Sequence, residues 1–350
     1  MASDIDIEGR GLGAAHRALL IAELSANHDR ELERALALVD VAADAGWDCL
    51  KLQTYDADSL TLDSDHPAMR VDPVWGERTL HALYRKAGMP MAFHEPLFAR
   101  ARERGLIPFT SVYDPRDLDF VERLGCGVYK IASFELTYDD LLVALAGTNK
   151  PLILSTGMAT FAEIERALEL LDRHGAGEVI LLHCCSSYPA PFEQINLRAM
   201  QATGERFGRP TGFSDHTLGS RAPIAAAAMG AVAIEKHFTD DPTRPGPDHR
   251  FSATPETLRE IAEGVEEIHR LRGSAEKGVT EAEAVSREKG RRSAFALADL
   301  PAGHVVTAAD FRFVRPNVGI PADDAAALLG RRLGRAVPKG HPIGYADLAA

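Results

Sequence analysis

Two lysines, Lys51 and Lys130, each stand inside a run of residues that is otherwise apolar and β-like. Lysine is almost never buried without a partner, so each must meet a carboxylate or an anionic ligand. The carboxylates at hand are Glu23, Glu135 and Glu235, and an internal salt bridge to one of them competes with ligand binding for either lysine taken alone. The hydroxyls Thr110, Ser133, Ser155 and Ser214 close neighbouring runs, and together with the two lysines they suit phosphate and carboxylate groups on one small molecule. A lysine that forms a Schiff base with a carbonyl substrate is a third reading. His216 and His237 close the last two β-like runs. A lone strand histidine is usually a packed core residue, but two at equivalent heights on adjacent strands could share one divalent cation. With no obvious carboxylate ligand, several coordination positions would stay open for a substrate carbonyl.

These residues need a scaffold that gathers strand ends. Eight short β-type runs, at 19–27, 49–55, 107–112, 128–133, 152–156, 179–184, 212–216 and 233–239, each precede a stretch with helical apolar spacing. The helices are expected at 32–45, 96–104, 115–124, 139–146, 161–173, 197–207, 221–229 and 255–271, with start signals such as Thr160 and the Thr254-Pro255-Glu256 run. Eight βα units in succession predict a (β/α)₈ TIM barrel, whose functional groups lie at the C-terminal ends of the strands. The polar residues there also include Asn27, Gln53 and Tyr188.

Residues 56–89 are too long for an ordinary loop and too polar for a core element, and their place after the second strand puts them over the mouth. The loop after the eighth strand, Arg244-Pro245-Gly246-Pro247-Asp248-His249, offers a carboxylate above the mouth, unless Asp248 only bonds its own turn. Cys184-Cys185 reads as packing rather than as a nucleophile. The barrel is expected over 1–272, a polar linker over 273–292, and a compact β-rich module over 293–350, small enough to lean on a partner surface.

Composition narrows the partners. With 39 basic and 51 acidic residues the formal charge is -12, which argues against nucleic acid or an anionic membrane surface as the main partner. Four cysteines without paired spacing, an acidic start, and no apolar run of about 20 residues predict a cytoplasmic protein that is neither exported nor embedded in a membrane.

The motifs carry a resemblance. Ile21-Ala22-Glu23-Leu24-Ser25-Ala26-Asn27-His28, followed by Lys51-Leu52-Gln53-Thr54-Tyr55, resembles the opening of the sialic acid (nonulosonate) synthase family. The likeness continues through Tyr129-Lys130-Ile131-Ala132-Ser133-Phe134-Glu135, Leu154-Ser155-Thr156-Gly157-Met158-Ala159, Ser214-Asp215-His216-Thr217-Leu218-Gly219, Ile234-Glu235-Lys236-His237-Phe238-Thr239 and Gly246-Pro247-Asp248-His249. The tail around Arg291-Arg292-Ser293 and Val314-Arg315-Pro316 resembles the family's antifreeze-like (SAF) domain.

That resemblance implies a transferase that condenses phosphoenolpyruvate with an N-acetylated amino-sugar aldehyde and water, giving a nine-carbon 2-keto-3-deoxy acid and phosphate. By the same analogy Lys51, Thr110, Lys130, Ser133, Ser155 and Ser214 hold phosphoenolpyruvate, and Gln53, Tyr188 and Asp248 contact the sugar. Glu23 and Glu135 carry protons, and His216 and His237 bind a divalent metal, Mn2+ by analogy with Mg2+ or Co2+ as alternatives. The resemblance further implies a domain-swapped homodimer in which Arg315 reaches the other subunit's site. The opening motifs and Phe251-Ser252 look closer to pseudaminic acid synthases than to N-acetylneuraminate synthases. Departures fall in Met89-Pro90-Met91-Ala92-Phe93-His94, in Thr110-Ser111-Val112-Tyr113-Asp114 and at Cys185, so an N-acetylneuraminate, legionaminate or unusual acceptor stays open. Beyond the family, a lysine-dependent pyruvate aldolase and a sugar-binding protein without turnover are the competing readings.

Overall fold

A computed structural model describes residues 5–72 and 76–349, and the chain divides into two compact units, Met1–Gly273 and Ser274–Ala350. In the first, eight parallel strands close a barrel: β3 (Leu19–Glu23), β4 (Cys49–Thr54), β5 (Ile107–Val112), β6 (Tyr129–Ile131), β7 (Leu152–Ser155), β8 (Val179–Cys184), β9 (Thr211–Asp215) and β10 (Ala233–His237). The last strand pairs with the first, so no edge is left exposed. The helices that return the chain are α1 (Leu32–Asp44), α4 (His94–Glu103), α5 (Leu118–Arg123), α6 (Asp139–Ala146), α7 (Phe161–Arg173), α8 (Leu197–Phe207), α9 (Arg221–Ala228) and α10 (Pro255–Arg272). Their apolar stripes pack on the strands; Ile164, Ala167, Leu168 and Leu171 of α7 show the helical spacing. Thr160 closes a capping box with Glu163, and the Thr254 hydroxyl accepts the Thr257 N–H, so both start signals in the sequence act as caps.

The strands stop where their polar ends begin. The runs at 107–112 and 179–184 match β5 and β8, whereas the run at 19–27 yields a strand of five residues. Beyond Glu23 the chain turns, with Ser25 at φ 49° and a Glu23 carboxylate oxygen accepting the Ser25 N–H. An N-terminal hairpin, β1 (Ile5–Ile7) with β2 (Arg10–Leu12), lies at the opposite end of the barrel. There Glu8 accepts the Gly127 N–H ahead of β6, and Ile5, Ile7 and Leu12 join the barrel core. Strands of three residues are too short for their alternation to be read from sequence.

Residues 56–89 hold two short helices, α2 (Ala57–Leu60) and α3 (Leu80–Ala87), capped by Asp56 and Thr79. The segment expected as a linker is half helical: α11 (Glu281–Gly290) starts on a Thr280–Glu283 capping box, and its Glu288 carbonyl accepts the Asn317 N–H. The second unit adds one antiparallel pair, β11 (Ser293–Ala296) with β12 (Phe311–Val314), over its own core of residues such as Ala294, Ile320, Leu328 and Ile343. Among the described residues, no helix is long and apolar enough to cross a membrane.

Candidate functional site at the C-terminal mouth of the barrel

Strand register decides which side chains meet. In parallel ladders, paired residues share a face. Glu23 pairs with Lys51 and with His237; Gln53 pairs with Ser111, which pairs with Lys130; Cys184 pairs with Ser214, which pairs with Glu235. All of these therefore point into the barrel. Above them opens a cavity of about 680 Å³, whose lining includes Lys51, Gln53, Lys130, Ser133, Glu135, Ser155, Tyr188, Ser214, His216, His237 and Asp248.

Each lysine meets a buried carboxylate. Lys51 Nζ lies 2.6 Å from a Glu23 oxygen and 3.0 Å from Glu235 Oε2, and Lys130 Nζ lies 4.0 Å from Glu235 Oε1. Lys130 also donates to Ser155 Oγ at 2.7 Å, and Ser214 Oγ donates to Glu235 at 2.8 Å. Burial pulls the Lys51 ammonium down to about 8, with Glu235 opposing the shift. Burial works against the ionised form of Glu235 as well, yet Lys130 and Lys51 together hold its carboxyl down to about 2. The result is a compact cluster of fixed charge with hydroxyls on its rim, open to the cavity. Ser133 completes the rim: its hydroxyl accepts the Gly157 N–H at 3.1 Å and lies 3.1 Å from Cys184 Sγ. A Cβ at Gly157 would fall 2.3 Å from Ser186 Oγ, so only glycine lets the backbone approach here.

Thr110 does not join this set. It is buried on the outer face of β5, where its hydroxyl meets Thr54 Oγ1 at 2.8 Å, and Thr54 in turn meets His94 of α4 at 2.9 Å. The next residue, Ser111, shares the face of Gln53 and Lys130 instead, and its buried hydroxyl has no hydrogen-bond partner among the described residues. The phase of the strand, one residue off, separates the two.

Glu135 sits in a 3₁₀ turn after β6 and lines the cavity. Burial raises its carboxyl to about 7, with Lys130 partly opposing, and its Oε2 is buried without a hydrogen-bond partner among the described residues. A carboxyl poised near neutrality beside an anion pocket is suited to proton transfer. Glu23, in contrast, is enclosed, accepting from Ser25 N and Gln53 Nε2 at 3.0 Å as well as facing Lys51.

The rings of His216 and His237 lie 5.4 Å apart, with Tyr188 4.4 Å from the first and Phe251 5.3 Å from the second. His216 Nδ1 is 2.9 Å from the Cys185 carbonyl, an arrangement that places the proton on Nδ1 and leaves Nε2 free to act as a ligand. Burial depresses both imidazoles, His237 furthest, with His216 and Lys51 adding to its shift. Both are thus held in the neutral form that binds metals. His237 Nδ1 is buried and unpartnered among the described residues. Among the described residues no group of three or more His, Cys, Asp or Glu is placed to hold a metal, so a cation held by these two rings would need substrate or water at its other positions.

Asp248 does not merely close its own turn. Its carboxylate accepts from the Ser25 hydroxyl and from Ala26 N at 3.2 Å, joining the loops after β10 and β3. The loop is pinned beneath by buried His249, whose Nδ1 lies 2.8 Å from Thr239 Oγ1 and whose Nε2 lies 2.9 Å from Asp29. The α2–α3 segment supplies an apolar wall of Leu60, Leu80, Leu83, Tyr84 and Ala87, and Tyr55 and Tyr113 meet edge to face at 5.2 Å nearby. Arg315 follows β12 in the second unit, with its side chain exposed.

Sequence reasoning named Glu235 only as a salt-bridge partner for the lysines and left Ser111 and Ser25 without a role at the site. Glu235 had a signal available, since it alternates with His237 on one strand. Ser25 had none, because its place depends on the turn after β3.

The match to known proteins spans both units. The NeuB family is matched over residues 38–277 and the SAF domain over residues 291–349. Pseudaminic acid synthase of Helicobacter pylori is 35% identical over 330 residues, covering 94% of this chain and 97% of that one. N,N'-diacetyllegionaminic acid synthase of Campylobacter jejuni is 33% identical over 318 residues, covering 90% and 95%. Among solved structures, N-acetylneuraminic acid (sialic acid) synthetase from Leptospira borgpetersenii, in complex with citrate, aligns with a TM-score of 0.74 at 30% identity over 82% of this chain and 95% of that chain.

Proposed function

Because this chain belongs to the NeuB family and carries an SAF domain, we propose that it is a nonulosonic acid synthase joining phosphoenolpyruvate to an N-acetylated amino-sugar aldehyde. The observation that carries this reading is the placement of Lys51 and Lys130 on either side of Glu235, beside Ser155, Ser214 and the two histidines, at the floor of one cavity. In the reaction, the methylene carbon of the enol bonds to the aldehyde carbon. Water adds at the phosphate-bearing carbon, whose bond to the phosphate oxygen then breaks. The aldehyde oxygen gains a proton and the water gives up both of its own, the second passing to the departing phosphate as the ketone forms, so the products are the 2-keto-3-deoxy acid and inorganic phosphate.

The residues divide between these tasks. Lys51 and Lys130 bind the anionic groups of phosphoenolpyruvate, with Ser111, Ser133, Ser155 and Ser214 donating around them. Glu135, near neutrality, moves a proton at the sugar oxygen or at the attacking water, and Glu23 holds Lys51 and Gln53 in place. Gln53, Tyr188 and Asp248 face the sugar. His216 and His237 hold a divalent cation, Mn2+ by preference, which when bound polarises the aldehyde oxygen as a Lewis acid. Arg315 of the partner subunit contacts the acetamido group in a swapped dimer.

The acceptor is of the pseudaminic type. The support is the apolar wall of Leu60, Leu80, Leu83 and Ala87, together with a lining that, among the described residues, has no lysine or arginine besides Lys51 and Lys130. Such a surface suits a neutral, acylated, deoxygenated sugar and disfavours a phosphorylated one. Phosphate release should be measured with phosphoenolpyruvate, Mn2+ and a panel of diacetamido-trideoxyhexoses, N-acetylmannosamine and its 6-phosphate. Release with a diacetamido sugar is expected; no release with any acceptor would overturn the assignment.

A further inference from the structure

The outer faces of β9 and β10 carry a second buried ion pair, one with no part in the chemistry above. Lys236 donates to one Asp215 oxygen and, at 2.7 Å, to the Thr217 carbonyl, while the other Asp215 oxygen accepts the Thr217 N–H at 2.9 Å. Lys236 and Asp215 are register partners, each 1% exposed. One ammonium is therefore bonded to both chain neighbours of His216, and it belongs to the residue that precedes His237. The two histidines next in the chain to this pair, His216 and His237, both line the cavity on the other side. A buried ion pair is weak evidence for stability, since apolar residues of similar volume often serve as well or better. Its position, next to His237 at the end of β10 and to His216 just past the end of β9, gives it another task.

We propose that the Lys236–Asp215 pair is a yoke that fixes the spacing and direction of the His216 and His237 rings, and so sets the affinity of the site for a divalent cation. Both are positioning residues, for neither reaches the cavity. From the inner side, His216 is held by its ring contact to the Cys185 carbonyl and by the Ala190 N–H bond to its own carbonyl at 2.9 Å. The yoke supplies the outer restraint and adds a side-chain tie to the β9–β10 ladder, from both neighbours of His216 to the strand of His237.

The inference rests on the reading of the two histidines as cation ligands, and the experiment separates the two. Mn2+ binding to the full chain should be titrated through the electron paramagnetic resonance signal of the free ion, with thermal melting recorded in parallel. The double variant Asp215→Leu/Lys236→Met removes both charges together and leaves no unpaired one. It is expected to melt near the wild type yet bind Mn2+ at least about tenfold more weakly, as loss of supporting groups around metal ligands does elsewhere. A folded double variant with unchanged Mn2+ affinity would overturn the yoke. Should the double variant not fold, Asp215→Asn keeps an acceptor for Thr217 and removes the charge that pairs with Lys236; a folded variant with reduced affinity supports the proposal and a folded one with unchanged affinity overturns it. A wild-type chain that binds no Mn2+ overturns the cation reading and the yoke with it.

Discussion

Lys51 Nζ lies 3.0 Å from Glu235 Oε2, on the floor of the cavity. With Lys130 4.0 Å from the other Glu235 oxygen, one carboxylate serves two ammoniums that a trianionic substrate must also use. Lys51, pulled down to about 8 mainly by burial, binds an anion only while it carries its proton. The affinity for phosphoenolpyruvate in the free enzyme is therefore expected to be full below pH 8 and to fall as the pH rises through it. Glu235→Gln removes an anion that holds the proton on Lys51, so the fall should move to lower pH. Measurement of kcat/KM for phosphoenolpyruvate against pH in both proteins checks this; an unmoved limb would refute it.

Glu135 makes a second pH prediction. Burial raises its carboxyl to about 7, so the group is protonated below that pH and ionised above it. Whichever form acts, kcat/KM should show a limb near 7 that is absent from Glu135→Gln. The loss in kcat is expected to be about 10²- to 10⁴-fold, the usual weight of a positioned acid or base.

Thr110 and Ser111 allow a direct comparison. Thr110→Val is expected to leave the KM for phosphoenolpyruvate unchanged and to cost about 1 kcal/mol of stability, because Thr54 loses a buried partner. Ser111→Ala should raise that KM with little change in melting temperature. The opposite pattern would show that the strand phase is wrong.

Chelation distinguishes the synthase from a Schiff-base aldolase. Activity should vanish with EDTA and return with Mn2+, and His216→Ala and His237→Ala should each lose it. Borohydride with pyruvate should trap no adduct on Lys51, whose ammonium is engaged by Glu23 and Glu235. A trapped adduct together with chelator resistance would favour the aldolase.

The second unit can be tested by removal. Each unit has its own apolar core, so deletion of residues 274–350 should leave a folded barrel. If Arg315 of the partner subunit serves the acceptor, Arg315→Ala should raise the sugar KM and spare that for phosphoenolpyruvate. Sedimentation should then report a dimer for the full chain; a fully active monomer would exclude the exchange.

The barrel and the gathering of polar residues at its mouth were readable from the chain itself. The βα rhythm is a local property, and helices α6, α7 and α8 begin and end where apolar spacing placed them, α7 also on its Thr160 cap. Local pattern also brought Lys51, Lys130, Ser155, Ser214, His216 and His237 to strand ends, and in a barrel strand ends converge. The hairpin of residues 5–12 and helix α11 escaped notice because short strands and a polar, exposed helix carry almost no periodic signal.

What the sequence alone determined was the order of units and the kinds of group each strand delivers, since both depend on residues near one another in the chain. Only the tertiary structure decided that Ser111 rather than Thr110 shares the inward face of Gln53 and Lys130, that Glu235 lies between the two lysines, and that Asp248 binds the Ser25 turn. Facing depends on the register with neighbouring strands, and ionisation depends on how much water the closed barrel removes. Neither quantity exists until residues as distant as Lys51 and Glu235 are brought within 3.0 Å.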